Sequence, residues 1–586
     1  MMQRRAGVLF GSMVLGMATM AGCATDHERR YPMAPHMTRD PDLASVSLPC
    51  KPDPTKKDPH HVACTPETYV SPLAWDAIDN ALARPVTEGL RVPSTHEATN
   101  ATALDEVAPS AWFTPRLGAH PMTLEEITRG ACESAQILDG AAAAAGEWVI
   151  DAGKGNGSSP GFRVNIPGKG KYMLKSDDAQ GEHPTAASAI GAAIYHASGF
   201  YTSCEQVVYF NPRVLKLTPG LVTQDNSGVP RPFDAAALEK VLSRATKRGE
   251  LVRMQASAWL PGRLIGPFRY EGTRKDDPND VIPHEDRREL RGGRMLAAWT
   301  EHHDAREQNS MDTWISDAGK ANPDGSPGSV RHYYLDTSEC FGSEWAWETV
   351  SKRLGYSYLL DVPDITLDFV TFGIITRPWD LAEKKPGKEQ FAFYDVDRFV
   401  PEEWKNEYQN PAFSRMTERD GAWMARILAR VEPETVQAFV KAGNFTKPED
   451  AAYLASVMQG RLNKIMLRYL TRLSPLGEIK QDGDSVCAVD LGRLRGVAPA
   501  DRFRYTAGIA GEPSRLVAMS LHENAVVCAK IPHKPGLADS LRDDAKERYV
   551  VVTIDNGASK NPLNVHLYDL GERGFYLAGI ERPDAN

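Results

Sequence analysis

The chain has 586 residues, of which a quarter are charged and 42% hydrophobic, with a formal net charge of -9. That length is well beyond one domain and predicts two or three, each with a core of its own. An acidic balance with no basic block argues against nucleic-acid partners, which need clustered Lys and Arg to neutralise phosphates.

From the first residue, Arg4 and Arg5 precede an apolar stretch, Ala6 to Ala21, that ends in small residues. The pattern predicts an export signal over residues 1–22. It is too short and too rich in Gly and Ala for a membrane span, which needs about 20 strongly apolar residues. Its end, Met20-Ala21-Gly22-Cys23, resembles the lipobox of bacterial lipoproteins. The resemblance implies cleavage before Cys23, a diacylglyceryl group on the thiol and acylation of the new amine, which together give stable anchoring in a membrane of the cell envelope. Ala24 in place of Asp after the cysteine implies the outer membrane of a Gram-negative bacterium.

Residues 23–71 are rich in Pro, His, Asp and Lys and read as a flexible tether. Residues 72–146 read as a helical extension, with helices expected at Leu73 to Ala83 and Thr123 to Leu138, the second started by Thr123 ahead of Glu125 and Glu126. Eight cysteines in an exported chain permit disulfides. Cys50 with Cys64, Cys132 with Cys204 and Cys487 with Cys528 are candidate pairs, leaving Cys340 over; buried free thiols are the alternative for each pair.

Glu147 to Ile150 predicts a strand, followed by Gly153-Lys154-Gly155-Asn156-Gly157-Ser158-Ser159-Pro160-Gly161. Phe162 to Ile166 and Lys171 to Lys175 continue as two more strands around a Pro-Gly-Lys-Gly turn. Three antiparallel strands with a glycine-rich first turn and a lysine on the third can cradle a phosphate, because bare backbone amides approach closely beside an ammonium. Glycine and serine also make plain hairpin loops. A helix is expected at Pro184 to Ser198, and Arg253 to Gly262 reads as a strand running into a hinge.

The charged amphipathic stretch Glu285 to Thr300 predicts a helix leading into Glu301-His302-His303-Asp304-Ala305-Arg306-Glu307-Gln308-Asn309. Strand-like Met311 to Ser316, a turn to Ser329 and a second strand, Val330 to Asp336, follow. A loop, a hairpin and an acid in this order suit phosphoryl transfer: one Asp to deprotonate an attacking hydroxyl, and an Asn and a second Asp to hold Mg²⁺ against phosphates.

This ordered set resembles the protein-kinase-like superfamily, which includes aminoglycoside phosphotransferases and secreted kinases, and the wider chain resembles uncharacterised bacterial secreted proteins with such a core. The resemblance implies an α+β fold with a two-lobe core, an antiparallel β-rich lobe over residues 147–262 and a helical lobe over 263–474. It matches Gly153, Gly155 and Gly157 to the nucleotide loop, Lys175 to the phosphate-binding lysine, Asp304 to the catalytic base, and Asn309 and Asp336 to the ligands of Mg²⁺ or Mn²⁺. The implied cofactor is ATP or another nucleotide. Asp336-Thr337-Ser338 departs from the family's Asp-Phe-Gly, and the helix after Lys175 offers Ala187-Ser188-Ala189 where a Glu should pair with the lysine, with Glu182 the nearest substitute.

Helices are expected at Thr417 to Val431, Pro433 to Ala442 and Pro448 to Leu473, with Trp423, Met424, Ile427 and Leu428 in the core. Short strands at Ser485 to Asp490, Arg502 to Tyr505, Arg515 to Met519, Ala525 to Lys530, Arg548 to Ile554, Leu563 to Tyr568 and Gly574 to Ile580 predict a C-terminal β-sandwich over residues 475–586, its sheets stapled by Cys487 and Cys528. Three functions follow: a membrane-anchored kinase-like phosphotransferase; a pseudokinase that binds a protein or glycan of the envelope; and, from a different class, a metal-dependent hydrolase using His302, His303 and Asp304.

Overall fold

The computed structural model describes residues 30–36, 40–53, 62–69, 78–90, 96–155, 159–177, 180–224, 229–317 and 325–584. The export signal, Cys23 and Gly157 lie outside the described residues. Among those described, no helix is long and apolar enough to cross a membrane.

Alternating side chains build the first sheet. Strands β1 (Trp148–Gly153), β2 (Gly161–Ile166) and β3 (Gly170–Ser176) form an antiparallel meander. Phe162, Val164 and Ile166 turn inward while Arg163 and Asn165 turn out, the period-two pattern of a half-buried strand. Helix α1 (His183–Ala197) then crosses to β4 (Glu205–Phe210), and β5 (Leu251–Ala258) inserts between β3 and β4. The order is therefore β1-β2-β3-β5-β4, with a helix between the third and fourth strands in sequence. Trp148, Phe162, Leu174, Phe210 and Met254 belong to the core of this sheet.

Helix α1 takes Pro184 in its first turn, where proline costs no hydrogen bond, and buries all but His196. Its small residues let other chain segments come close. A Cβ on Gly191 would collide with the side chain of Thr337, whose hydroxyl donates to the Ser188 carbonyl at 3.0 Å. The Ala-Ser-Ala face thus receives the segment just after Asp336.

Helix α2 (Arg288–Thr300) is buried along twelve of its thirteen residues, and it leads into the hairpin of β6 (Ser310–Ser316) and β7 (Gly328–Tyr334). Helix α3 (Val362–Thr371) follows, then α4 (Glu418–Leu428), α5 (Pro433–Ala442) and α6 (Pro448–Tyr469). Thr417 caps α4 in a reciprocal capping box with Asp420. Trp423, Met424 and Leu428 join Trp299, Phe439 and Leu462 in a second core, separate from that of the first sheet. In the C-terminal region Leu476–Asp482, Ser485–Asp490, Ala518–Leu521 and Val526–Lys530 form a four-stranded sheet, and five further strands a second. Residues of both sheets, Val486 and Ala529 with Val552 and Val565, share a third core.

All three cysteine pairs are disulfides, Cys50–Cys64, Cys132–Cys204 and Cys487–Cys528, and Cys340 is a buried free thiol. Cys487 and Cys528 lie directly opposite each other on neighbouring strands, so that bond ties two strands of one sheet rather than stapling two sheets. Several expected elements differ. Strand Leu476–Asp482 was hidden by Pro475 and Gly477, Arg502 to Tyr505 gives way to a strand at Thr506–Ile509, and the helix begun by Thr123 stops at Arg129, where Gly130 turns with φ 57°. The leader read as a tether is docked at several of its described residues. The Tyr31 hydroxyl donates to the Ile580 carbonyl at 2.9 Å, the Tyr568 hydroxyl donates to the Tyr31 carbonyl at 2.8 Å, and Asp40 and Asp42 pair with buried Arg287. Asp40 and Asp42 are buried in these contacts, while Lys51 and Glu67 stay exposed.

Candidate active site

Strand alternation puts Lys175 on the face of β3 opposite Tyr172 and Leu174. Its Nζ donates to Asp336 Oδ1 at 2.9 Å across 161 residues of sequence. Asp336 follows β7, where the Leu335 amide donates to the Asn309 carbonyl at 3.0 Å, and holds φ 51° in the left-handed region. Aspartate tolerates that conformation better than most residues, and such backbone clusters at functional sites. Ser338 also donates to Asp336 Oδ1, at 2.8 Å. Burial raises the Asp336 pKa, but Lys175, with Ser338 and Lys154, outweighs burial and holds it down at about 2. For Lys175, burial disfavours the charge, yet Asp336, Glu205 and Asp304 outweigh it and keep the ammonium charged.

Glu205, the first residue of β4, is the acid that sequence reading missed. It accepts from Ser203 Oγ at 2.5 Å, from Ser257 Oγ at 2.6 Å and from Gln255, the residue paired with Lys175 across β3 and β5. The carboxylate that accompanies the lysine therefore comes from a strand and not from the preceding helix. Glu182 is engaged elsewhere, accepting from the Thr446 amide at 2.8 Å and lying near Arg253. No local signal marks Glu205 beyond its place after Cys204; the strand pairing brings it in.

The second half of the site is the loop after α2. Asn309 Nδ2 donates to Asp304 Oδ2 at 2.5 Å and to the Asp304 carbonyl at 2.9 Å, which closes the loop and aims the carboxylate. His302 is wholly buried, with Nδ1 2.9 Å from the Tyr195 hydroxyl and Nε2 3.3 Å from Asp304 Oδ1. Burial, then the charge of His303, lowers His302 to about 3, so its imidazole is neutral. His303 behaves oppositely. Burial would lower it, but Glu339, 2.9 Å away, outweighs burial and holds it up at about 9. Burial and the neighbouring Glu339 push the Asp304 carboxyl well above its ordinary range.

The two halves feel each other: Asp304 acts on Lys175, and Asp336 acts on His302. Lys154, inside the glycine-rich turn, joins them. Burial, then the like charge of Lys175, lowers it to about 8, while Asp336 pulls it up. A lysine between two glycines was the signal for it. Of the glycines themselves, a Cβ on Gly153 would strike the Phe233 ring, and one on Gly155 the Gln224 carbonyl. Both are glycine because the chain packs against them there.

Two donor sets could hold a cation. Asp336 is ionised, with 40% of its side chain exposed, and Asn309 turns its amide nitrogen to Asp304, so the atom it can offer is a carbonyl oxygen. Hard oxygen donors of this kind fit Mg²⁺ or Mn²⁺. His303, Asp304 and Glu339 also bring one ligand atom each within 4.8 Å of one another. His302 hydrogen-bonds Tyr195 through Nδ1 and is not part of this group, so the expected pairing of both histidines on one metal does not form among the described residues.

No family model and no curated protein matches the chain. Among solved structures it is similar to the Golgi casein kinase, with a TM-score of 0.23 at 12% identity over 74% of this chain and 97% of that one. It is similar likewise to that kinase with Mn/ADP bound, with a TM-score of 0.23 at 11% identity over 74% and 96%.

Proposed function

We propose that this chain is a kinase-like phosphotransferase of the cell envelope, held to a membrane by lipid on Cys23, that moves a phosphoryl group from ATP or another nucleotide to an acceptor hydroxyl. The observation that carries the proposal is the meeting of Lys175 with Asp336 at 2.9 Å beside the Asp304–Asn309 loop. The strand order with its interposed helix, followed by loop, hairpin and acid, supports two lobes with the donor between them, and the shared core of the last two sheets supports a C-terminal sandwich. Lys175 and Lys154 bind the phosphates, with Glu205 positioning Lys175. Asp304 accepts the proton of the attacking hydroxyl, aimed by Asn309 and His302. Asp336 and Asn309 would hold Mg²⁺ or Mn²⁺, which when bound neutralises phosphate charge.

A second reading, a pseudokinase that binds a protein or glycan, is favoured by one observation: the chain itself fills the space beside Gly153 and Gly155. Labelled ATP with Mg²⁺ or Mn²⁺ separates the two. Incorporation by the full chain, lost in Asp336→Ala and reduced about 10²–10⁴-fold in Asp304→Asn, supports the transferase. No incorporation and no nucleotide-dependent shift in melting makes it a pseudokinase.

A further inference from the structure

Helix α3 is built inside out. Its acidic residues Asp364 and Asp368 are tied to the segments that flank the helix, where Arg377 donates to Asp368 Oδ1 at 2.7 Å and to the Asp364 carbonyl at 2.9 Å, and Ser357 donates to Asp364 at 3.0 Å. Its apolar residues turn outward. Ile365, Phe369 and Phe372, spaced to share a face, are 47%, 81% and 90% exposed, and Ile374 just beyond is 80% exposed. Phe372 ends the helix at φ 54°, and no residue of α3 is buried. The run Phe369 to Thr376 carries no charge. A soluble helix normally does the reverse, and a contiguous apolar surface of this kind marks something it binds.

The leader tells what lies nearby. Tyr31 is seated on the last sheet by three hydrogen bonds, to Tyr549, Ile580 and Tyr568. Seven residues lie between it and Cys23, a reach of at most about 28 Å at full extension over eight residue steps. An acylated Cys23 therefore keeps the body against the bilayer, not at the end of a long leash.

We infer that the outward face of α3 and the turn after it is a membrane-docking surface, which seats Phe369, Phe372 and Ile374 at the boundary of headgroups and acyl chains of the bilayer that holds the anchor. The inference rests on the lipid-anchor part of the proposed function and is independent of phosphoryl transfer. Aromatic and branched apolar side chains on one face are what a helix lying in the interface plane buries. Through the Leu359 amide on the Glu407 carbonyl, at 2.8 Å, and the Glu407 amide on the His303 carbonyl, at 2.7 Å, the segment preceding α3 is joined to the Asp304 loop. Docking would then orient the candidate site relative to the membrane.

The test uses the full chain reconstituted in phosphatidylethanolamine and phosphatidylglycerol vesicles, with Phe372→Cys carrying an environment-sensitive dye and Leu516→Cys, on an exposed strand of the C-terminal region, as control. Several-fold stronger quenching at 372 than at 516 by lipids spin-labelled high on the acyl chain supports the surface. Equal or absent quenching overturns it, as does energy transfer between chains without lipid quenching, which gives the face to a second copy. Intact mass reads acylation separately. If the chain carries no lipid, the anchor reading fails, and flotation of that unacylated chain with vesicles decides the face: flotation lost in Phe369→Asp/Phe372→Asp supports it, and no flotation overturns it.

Discussion

Two adjacent histidines in one buried loop hold opposite charge states because their partners differ. His302 has a hydroxyl and stays neutral, with a pKa lowered to about 3; His303 has Glu339 and keeps its proton, with a pKa raised to about 9. Unfolded histidine titrates near 6.5. Linkage then gives each a window. The contribution of His302 is fully present above about 6.5 and is lost as pH falls toward 3, while that of His303 is fully present below about 6.5 and is lost as pH rises toward 9. His303→Gln should therefore erode less than the parent between pH 6.5 and 9 in urea unfolding. Parallel loss in both proteins would show that His303 is not protonated. Glu205→Gln should lower phosphoryl incorporation, and its effect should be small in a Lys175→Met background, because both changes act through one ammonium; additive losses would separate them. At this scale Lys175, Asp304, Asn309 and Asp336 were legible as candidates, each from a local motif, and the structure shows their contacts, Lys175 with Asp336 and Asn309 with Asp304, while their roles belong to the proposal. Glu205 and Glu339 were not, because their roles come from a strand pairing and from a contact with His303 across the loop.

The start of helix α2 reads in sequence as a charged amphipathic stretch, and its Arg287, Arg288 and Arg291 are all buried. Their partners explain it. Arg287 meets Asp40, Asp42 and Glu289, Arg288 meets Asp105 and Asp420, and Arg291 meets Asp286 and Asp420. Periodicity located the helix to within a few residues, but it could not tell that the acids needed to bury those charges lie up to about 250 residues away. Asp105 is the centre of this set, with Arg288, Arg426 of α4 and Arg582 at the C-terminal end around one carboxylate. Burial alone would raise its pKa, and the three guanidinium groups together hold it well below the ordinary range. Asp105→Asn leaves three buried cations short of a counter-charge and should cost about 3–5 kcal/mol, read as a drop in the urea midpoint. A cost below about 1 kcal/mol would mean that the arginines find other acids.

Over the whole molecule, the strand pattern located the first three strands and most of those in the last two sheets but missed Glu205–Phe210, Leu476–Asp482 and Thr506–Ile509, and the 3.6-residue period located Glu418–Leu428, Pro433–Ala442 and Pro448–Tyr469 but not Val362–Thr371. What the sequence hid was how the leader is used. Composition rich in Pro, His and Asp suggests a solvated tether, but Tyr31, Asp40 and Asp42 each find a site on a distant part of the fold. The disulfide Cys132–Cys204 closes a separation of 72 residues, worth about 4 kcal/mol in the loop-entropy account, and Cys204 is the residue before Glu205. Replacing both cysteines with serine should lower the urea midpoint and weaken nucleotide-dependent incorporation together; loss of stability with full incorporation would show that the bond does not steady the site. Thiols stay reduced in the cytoplasm and oxidise outside it. On the export and phosphoryl transfer proposed above, a chain still in the cytoplasm would hold Lys175 beside an acid that the disulfide does not yet brace, so the bond that secures the sheet would also delay the proposed activity until the chain has left.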